Sequence, residues 1–145
     1  MKKTKLAGAL GACLLFGYHA ANAAFIDGSL GLAGPYDPVN SVGTPVTLDV
    51  ATGIDFTSDT GYVMTSSGDL ATALLTPVAM TDFQFSPLSP NPVALWSVNG
   101  FTFNMTAVTI NNQDSINLSL SGTGTVSKTG FQSTAGTWEF TANAT

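Results

Sequence analysis

Near the end of the chain, apolar and polar side chains take turns. Ile116, Leu118 and Leu120 alternate with Asn117, Ser119 and Ser121, and Val126 rejoins the apolar row beyond Gly122 and Gly124. A period of two puts one set on each face of a strand. Trp138, Phe140 and Ala142 repeat the pattern after a polar connection. The reading is an antiparallel sheet with one face on a core and one in water.

Earlier segments carry the same signal. Val46, Leu48 and Val50 alternate with Thr47 and Asp49, and Ile54 and Phe56 keep the parity across Gly53, which predicts a strand. Tyr62, Val63 and Met64 predict a short one, and Phe83 and Phe85 flank Gln84 in another. Asn99-Gly100 separates two apolar runs and predicts a type I′ hairpin, because both central residues of that turn need positive φ. A two-residue loop pairs Val98 with Phe101 and Trp96 with Phe103. Beyond Met105 the parity slips from odd to even, so a bulge lies near Thr106-Ala107 or one strand ends and another begins. Asp27-Gly28 signals a turn, residues 30–38 are rich in Gly and Pro, and Pro35-Tyr36-Asp37-Pro38 predicts an irregular loop. Three prolines within residues 86–92 predict another loop, and residues 70–75 read as strand or loop. Together these elements predict an all-β fold, an antiparallel β-sandwich of jelly-roll-like form.

The N-terminus has a different grammar. Lys2, Lys3 and Lys5 precede a short apolar run, and Ala21-Asn22-Ala23 closes it with small residues. This is the layout of a secretory signal peptide over residues 1–23, cleaved between Ala23 and Ala24 with Ala21 as the second recognition residue. A lipobox reading at Cys13 would strand Leu14, Leu15 and Phe16 beyond the cut, so cleavage after Ala23 is preferred. The expectation is a protein exported through the Sec pathway, extracellular or periplasmic, whose mature part is one domain over residues 24–145 and lacks a transmembrane anchor.

Cleavage changes the chemistry. The sole His (His19) and sole Cys (Cys13) leave, Arg is absent throughout, and Lys128 alone faces nine acidic residues, a formal charge of −8. Such a chain does not attract nucleic acid or anionic lipid by charge. Without His, Cys or Arg there is no Ser-His triad, thiolate nucleophile or zinc site of the usual ligand types. Ser127-Lys128 reads as a solvated loop rather than a nucleophile and base. Asp49, Asp55, Asp59 and Asp69 are candidates for a glycosidase pair, but turn formation and solubility explain them more simply. Calcium is the more plausible ligand, with Asp27, Asp37 and Asn40 in one loop or Asn111, Asn112 and Asp114 in another as oxygen donors, but neither set has EF-hand spacing and plain turns explain both more simply. Trp96 and Trp138 are in phase with core rows. Tyr36 is the one aromatic left as a ligand contact. No catalytic residue and no obligatory cofactor are expected.

Residues 95–110 (LWSVNGFTFNMTAVTI) and 118–141 (LSLSGTGTVSKTGFQSTAGTWEFT) resemble the body of bacterial PEP-CTERM exported proteins. Residues 46–56 (VTLDVATGIDF), 68–71 and 81–87 (TDFQFSP) fit in the same order. The resemblance implies a secreted or surface β-domain associated with exopolysaccharide or biofilm matrix, partnered by extracellular polysaccharide or another matrix protein. The family's Pro-Glu-Pro tail, membrane helix and basic cluster are not found before Thr145, and the further aromatic strand that follows the TWxF segment in similar proteins is not found either. Three roles follow as expectations: a non-catalytic structural domain, a carbohydrate- or calcium-binding module, or an assembly subunit that exchanges a strand.

Overall fold

The alternation around Leu118 and Leu120 builds the centre of the fold. In the computed structural model, which describes residues 23–144, the strands are β1 (Gly28–Ala33), β2 (Tyr36–Val39), β3 (Gly53–Phe56), β4 (Thr60–Gly68), β5 (Pro77–Met80), β6 (Phe83–Phe85), β7 (Leu88–Ser89), β8 (Val93–Val98), β9 (Phe101–Gln113), β10 (Asn117–Ser127) and β11 (Thr134–Asn143). β10 pairs with β9 on one side and β11 on the other, and Leu118 and Leu120 are buried between the layers. Each such fully buried side chain contributes roughly 1.5–3 kcal/mol.

Two antiparallel sheets result. One has seven strands in the order β1-β4-β5-β8-β9-β10-β11, and the other has four in the order β2-β3-β6-β7. The all-β sandwich is therefore the observed fold. Its halves are unequal: the large sheet is a meander, and β2-β3 and β6-β7 are two excursions from it into the smaller layer. Ile54, Phe56, Phe83 and Phe85 from the small sheet meet Leu95, Phe101, Phe103, Met105, Leu118 and Leu120 from the large one in a single core. A satellite cluster of Val63, Val78 and Val98 lies farther along the large sheet. Among the described residues no helix is long and apolar enough to cross a membrane.

The hairpin forms as its sequence dictates. Asn99 and Gly100 take φ of 50° and 81°, and Val98 pairs with Phe101 and Trp96 with Phe103. Gly100→Ala is expected to cost about 1 kcal/mol, since a Cβ disfavours that left-handed φ. A urea melt checks it: the midpoint should fall with an unchanged slope.

The parity slip is a bulge. Gly124 pairs with Met105 but Thr123 pairs with Ala107, leaving Thr106 unpaired in a continuous β9, and a second shift lies between Leu120 and Ser119. Four expectations need correction. Residues 48–50 form a single 3-10 turn, not a strand, and Val50 is 57% exposed. Gln113 helps hold that turn: its Nε2 donates to the Leu48 and Ala51 carbonyls at 2.7 and 2.8 Å, the first of which also accepts the Ala51 N–H within the turn. Ile116 is not in the inward row but 61% exposed, because Asp114 turns the chain there by accepting the Ile116 and Asn117 N–H groups. Residues 86–92 include the two-residue β7, which fits between prolines because neither Leu88 nor Ser89 is one. Residues 28–33 form β1, where a Gly-rich turn and loop were expected.

Candidate binding cleft

Six successive antiparallel pairings connect β1 to β11 through the large sheet. The two edge strands must therefore run parallel to one another. They do not pair with each other along their lengths, yet both line one cleft of about 1050 Å³. At their N-terminal ends they are pinned together. Phe25 and Gln132 form a parallel bridge, Gln132 N–H donates to the Ala24 carbonyl at 2.9 Å, and Ile26 N–H donates to Thr134 Oγ1 at 2.8 Å. Beyond that clamp, Leu30 and Leu32 of β1 and Gly136, Trp138 and Phe140 of β11 line the same opening.

The cleft's interior is aromatic and closely fitted. Phe103 stacks on Trp96 with ring centroids 5.8 Å apart and 12° between planes. Its ring lies over Gly124 and Gly136, a directly paired couple on β10 and β11, where side chains would fill its place. Trp138 stands edge-on to Phe83 at 5.9 Å and donates its Nε1 proton to the Ala107 carbonyl at 3.4 Å. Both tryptophans thus pack on the core, as their phase implied, while part of each lines the cleft.

Tyr36 also belongs here, although not in a loop. It lies on β2, paired with Phe56 of β3, and its half-buried ring stands edge-on to Phe140 at 5.5 Å. Its hydroxyl donates to the Asn143 carbonyl at 3.3 Å, placing it by the C-terminal end of β11. Besides Tyr36, the one titratable side chain in the lining is Glu139. Of the cleavage-site residues, Ala24 is the first residue of the clamp and Ala23 lies just before it, whereas Ala21, Cys13 and the apolar run fall outside the described residues.

The carboxylate candidates are dispersed or occupied. Asp69 Oδ2 accepts the Asp27 N–H at 2.8 Å, and Asp37 lies opposite Asp55 across β2 and β3. Asp27, Asp37 and Asn40 do not share one loop, and Asn40 Oδ1 is taken by the Val42 and Thr44 N–H groups. Asp49 lies on the 3-10 turn, Asp59 before β4. Asp114 accepts two backbone N–H groups and a 3.1 Å bond from Asn112 Nδ2, and Asn111 Oδ1 accepts from Ser121. Among the described residues no three acidic, His or Cys side chains are grouped to hold a metal. Lys128 sits with its Nζ 4.1 Å above the centre of the Phe101 ring, a cation–π contact and not a partner for Ser127.

Two carboxyls are shifted in opposite senses. The Ile116 and Asn117 N–H groups and Asn112 hold Asp114 below the ordinary value of 3.8, so its contribution is present above that value and lost as pH falls through the lowered one. Partial burial pushes Asp82 up, against the 2.7 Å hydrogen bond it accepts from Phe56 N–H, and Asp55 and Asp59 add to the rise. A raised carboxyl favours folding most below 3.8 and loses that contribution as pH rises through its folded value. Asp82→Asn keeps an acceptor for Phe56 and removes the titration. It is expected to melt above the wild type at neutral pH, with the gap closing in acid; a scan of melting temperature against pH reads it.

The sequence reading missed β1 and Asp82. Leu30 and Leu32 do alternate with small residues, a weak strand signal hidden by the neighbouring Gly and Pro. Comparison with protein-family models, with curated proteins and with solved structures finds no match to this chain.

Proposed function

We propose that this chain is a non-catalytic, exported β-sandwich domain with a structural or matrix-associated role outside the cytoplasm. The observation that carries the proposal is the cleft's lining. The cleft is lined mainly by aliphatic and aromatic side chains and strand backbone, with the hydroxyls of Ser29, Thr123, Thr134, Thr137 and Thr141, and Glu139 is the one carboxylate in it among the described residues. Acid–base or nucleophilic catalysis needs at least two matched polar groups around one reacting atom. The cleft is a surface for contact, in keeping with the PEP-CTERM resemblance and its implied matrix setting.

The test is cell fractionation with intact-mass measurement, followed by assay of the purified protein. The proposal expects a species that begins at Ala24, found in the medium or periplasm and enriched with extracellular matrix. Full-length protein retained in the cytoplasm contradicts it, as does steady turnover of any glycosidic or ester substrate.

A further inference from the structure

We propose that the cleft between β1 and β11 is a strand-acceptor site, taking one extended peptide segment of a different protein that runs antiparallel to both edges. This deepens the proposed contact role and rests on it only for the setting in which the partner is met. Strand direction decides which way such a segment must run. Because β1 and β11 run parallel, a single added strand of opposite sense is antiparallel to both, and it closes the seven-stranded sheet into an all-antiparallel ring of eight. A free sheet edge offers a row of unpaired N–H and C=O groups, and here two such rows face one space. A lipid would leave both rows without partners; a strand satisfies them together.

The same geometry sets the segment's chemistry. The clamp at Ala24–Ile26 and Gln132–Thr134 closes one end, so the segment's N-terminal half lies by Ala33 and Thr141 and its C-terminal half toward Ser29 and Ala135. β1 is six residues long, which matches a segment of about six. Alternate side chains point inward onto Leu30, Leu32, Trp138 and Phe140 and are apolar. The outward set meets Glu139 and a chain carrying Lys128 against nine acids, so it is neutral or basic. That charge disfavours a second copy of this chain as the donor.

The probe is a synthetic nine-residue peptide alternating valine with lysine and threonine. Its comparison peptides have the lysines replaced by glutamate, or N-methyl groups on alternate amides. Titration into the protein from Ala24 onward, followed by residue-resolved hydrogen exchange, is expected to show saturable binding of the first peptide. Binding should weaken about tenfold or more for the glutamate peptide and vanish for the N-methylated one. Cleft-facing amides of both β1 and β11 should become protected. Absence of binding overturns the inference, as does protection confined to one edge. So does displacement of the peptide by a fatty acid that itself protects neither edge, or protection of both edges by concentration-dependent self-association alone. A blank result leaves the export and matrix reading to its own fractionation test, since that experiment does not involve the cleft.

Discussion

Leu120→Ala is expected to destabilise the protein by about 3–4 kcal/mol, the cost of lost transfer energy plus an unrelaxed cavity. Leu120 has no exposed surface and lies in register between Ile110 of β9 and Phe140 of β11, at the junction of the two layers. Neighbours held by ladders on both sides have little freedom to collapse into the hole. Against a typical total of about 5–15 kcal/mol, the loss is a large fraction, and the melting temperature should fall by on the order of 10 °C. Ile116→Ala is the matched control. The alternation placed Ile116 in the same row, but it is 61% exposed, and its loss should change stability by no more than about 0.5 kcal/mol. Equal effects at the two positions would mean that Ile116 is inside after all.

Gly124→Val should cost about 3 kcal/mol by overpacking. A Cβ at Gly124 would overlap the Asn104 carbonyl oxygen and lie 2.8 Å from Phe103 Cζ. The first of these atoms is backbone, fixed by the bulge at Thr106, so rearranging side chains cannot relieve it. Gly136 provides the contrast. There an added Cβ would meet only the Phe103 ring, at 3.1 Å, and a small tilt can relieve it. Gly136→Ala should therefore be much milder than Gly124→Ala. Phe103→Leu should rescue the Gly136 substitution and only partly rescue the Gly124 one, a difference that double-mutant cycles on denaturation midpoints would show.

Much of the fold was legible because the large sheet faces water on one side. That arrangement writes itself as alternation in β10 and β11 and as Asn-Gly in the β8–β9 hairpin. The slip after Met105 was readable as either a bulge or a strand end, and the pairings of β9 with β10 decide for the bulge. Legibility failed where local and tertiary signals part. Val46, Leu48 and Val50 have strand parity, but a side chain from β9, Gln113, rewards a turn there. β1 has too few side chains to carry a pattern and is held instead by its ladder with β4 and the clamp at Ile26. The cleft itself was not visible in the sequence at all. It arises from the parallel sense of two strands more than a hundred residues apart, which the order of pairings determines and no local motif encodes. Tyr36 was singled out as a contact on the assumption that it sat in a loop; it lines the cleft from a strand.

The openness of that cleft is the claim on which the account turns, and residue-resolved hydrogen exchange on the free, monomeric protein tests it most directly. β10 has a neighbour on each side and should exchange slowly throughout. β1 and β11 should each show slow amides alternating with fast ones, the fast set being those that face the cleft. Slow exchange at every amide of both edge strands, without any added peptide, would mean that the ring is already closed and would contradict the account.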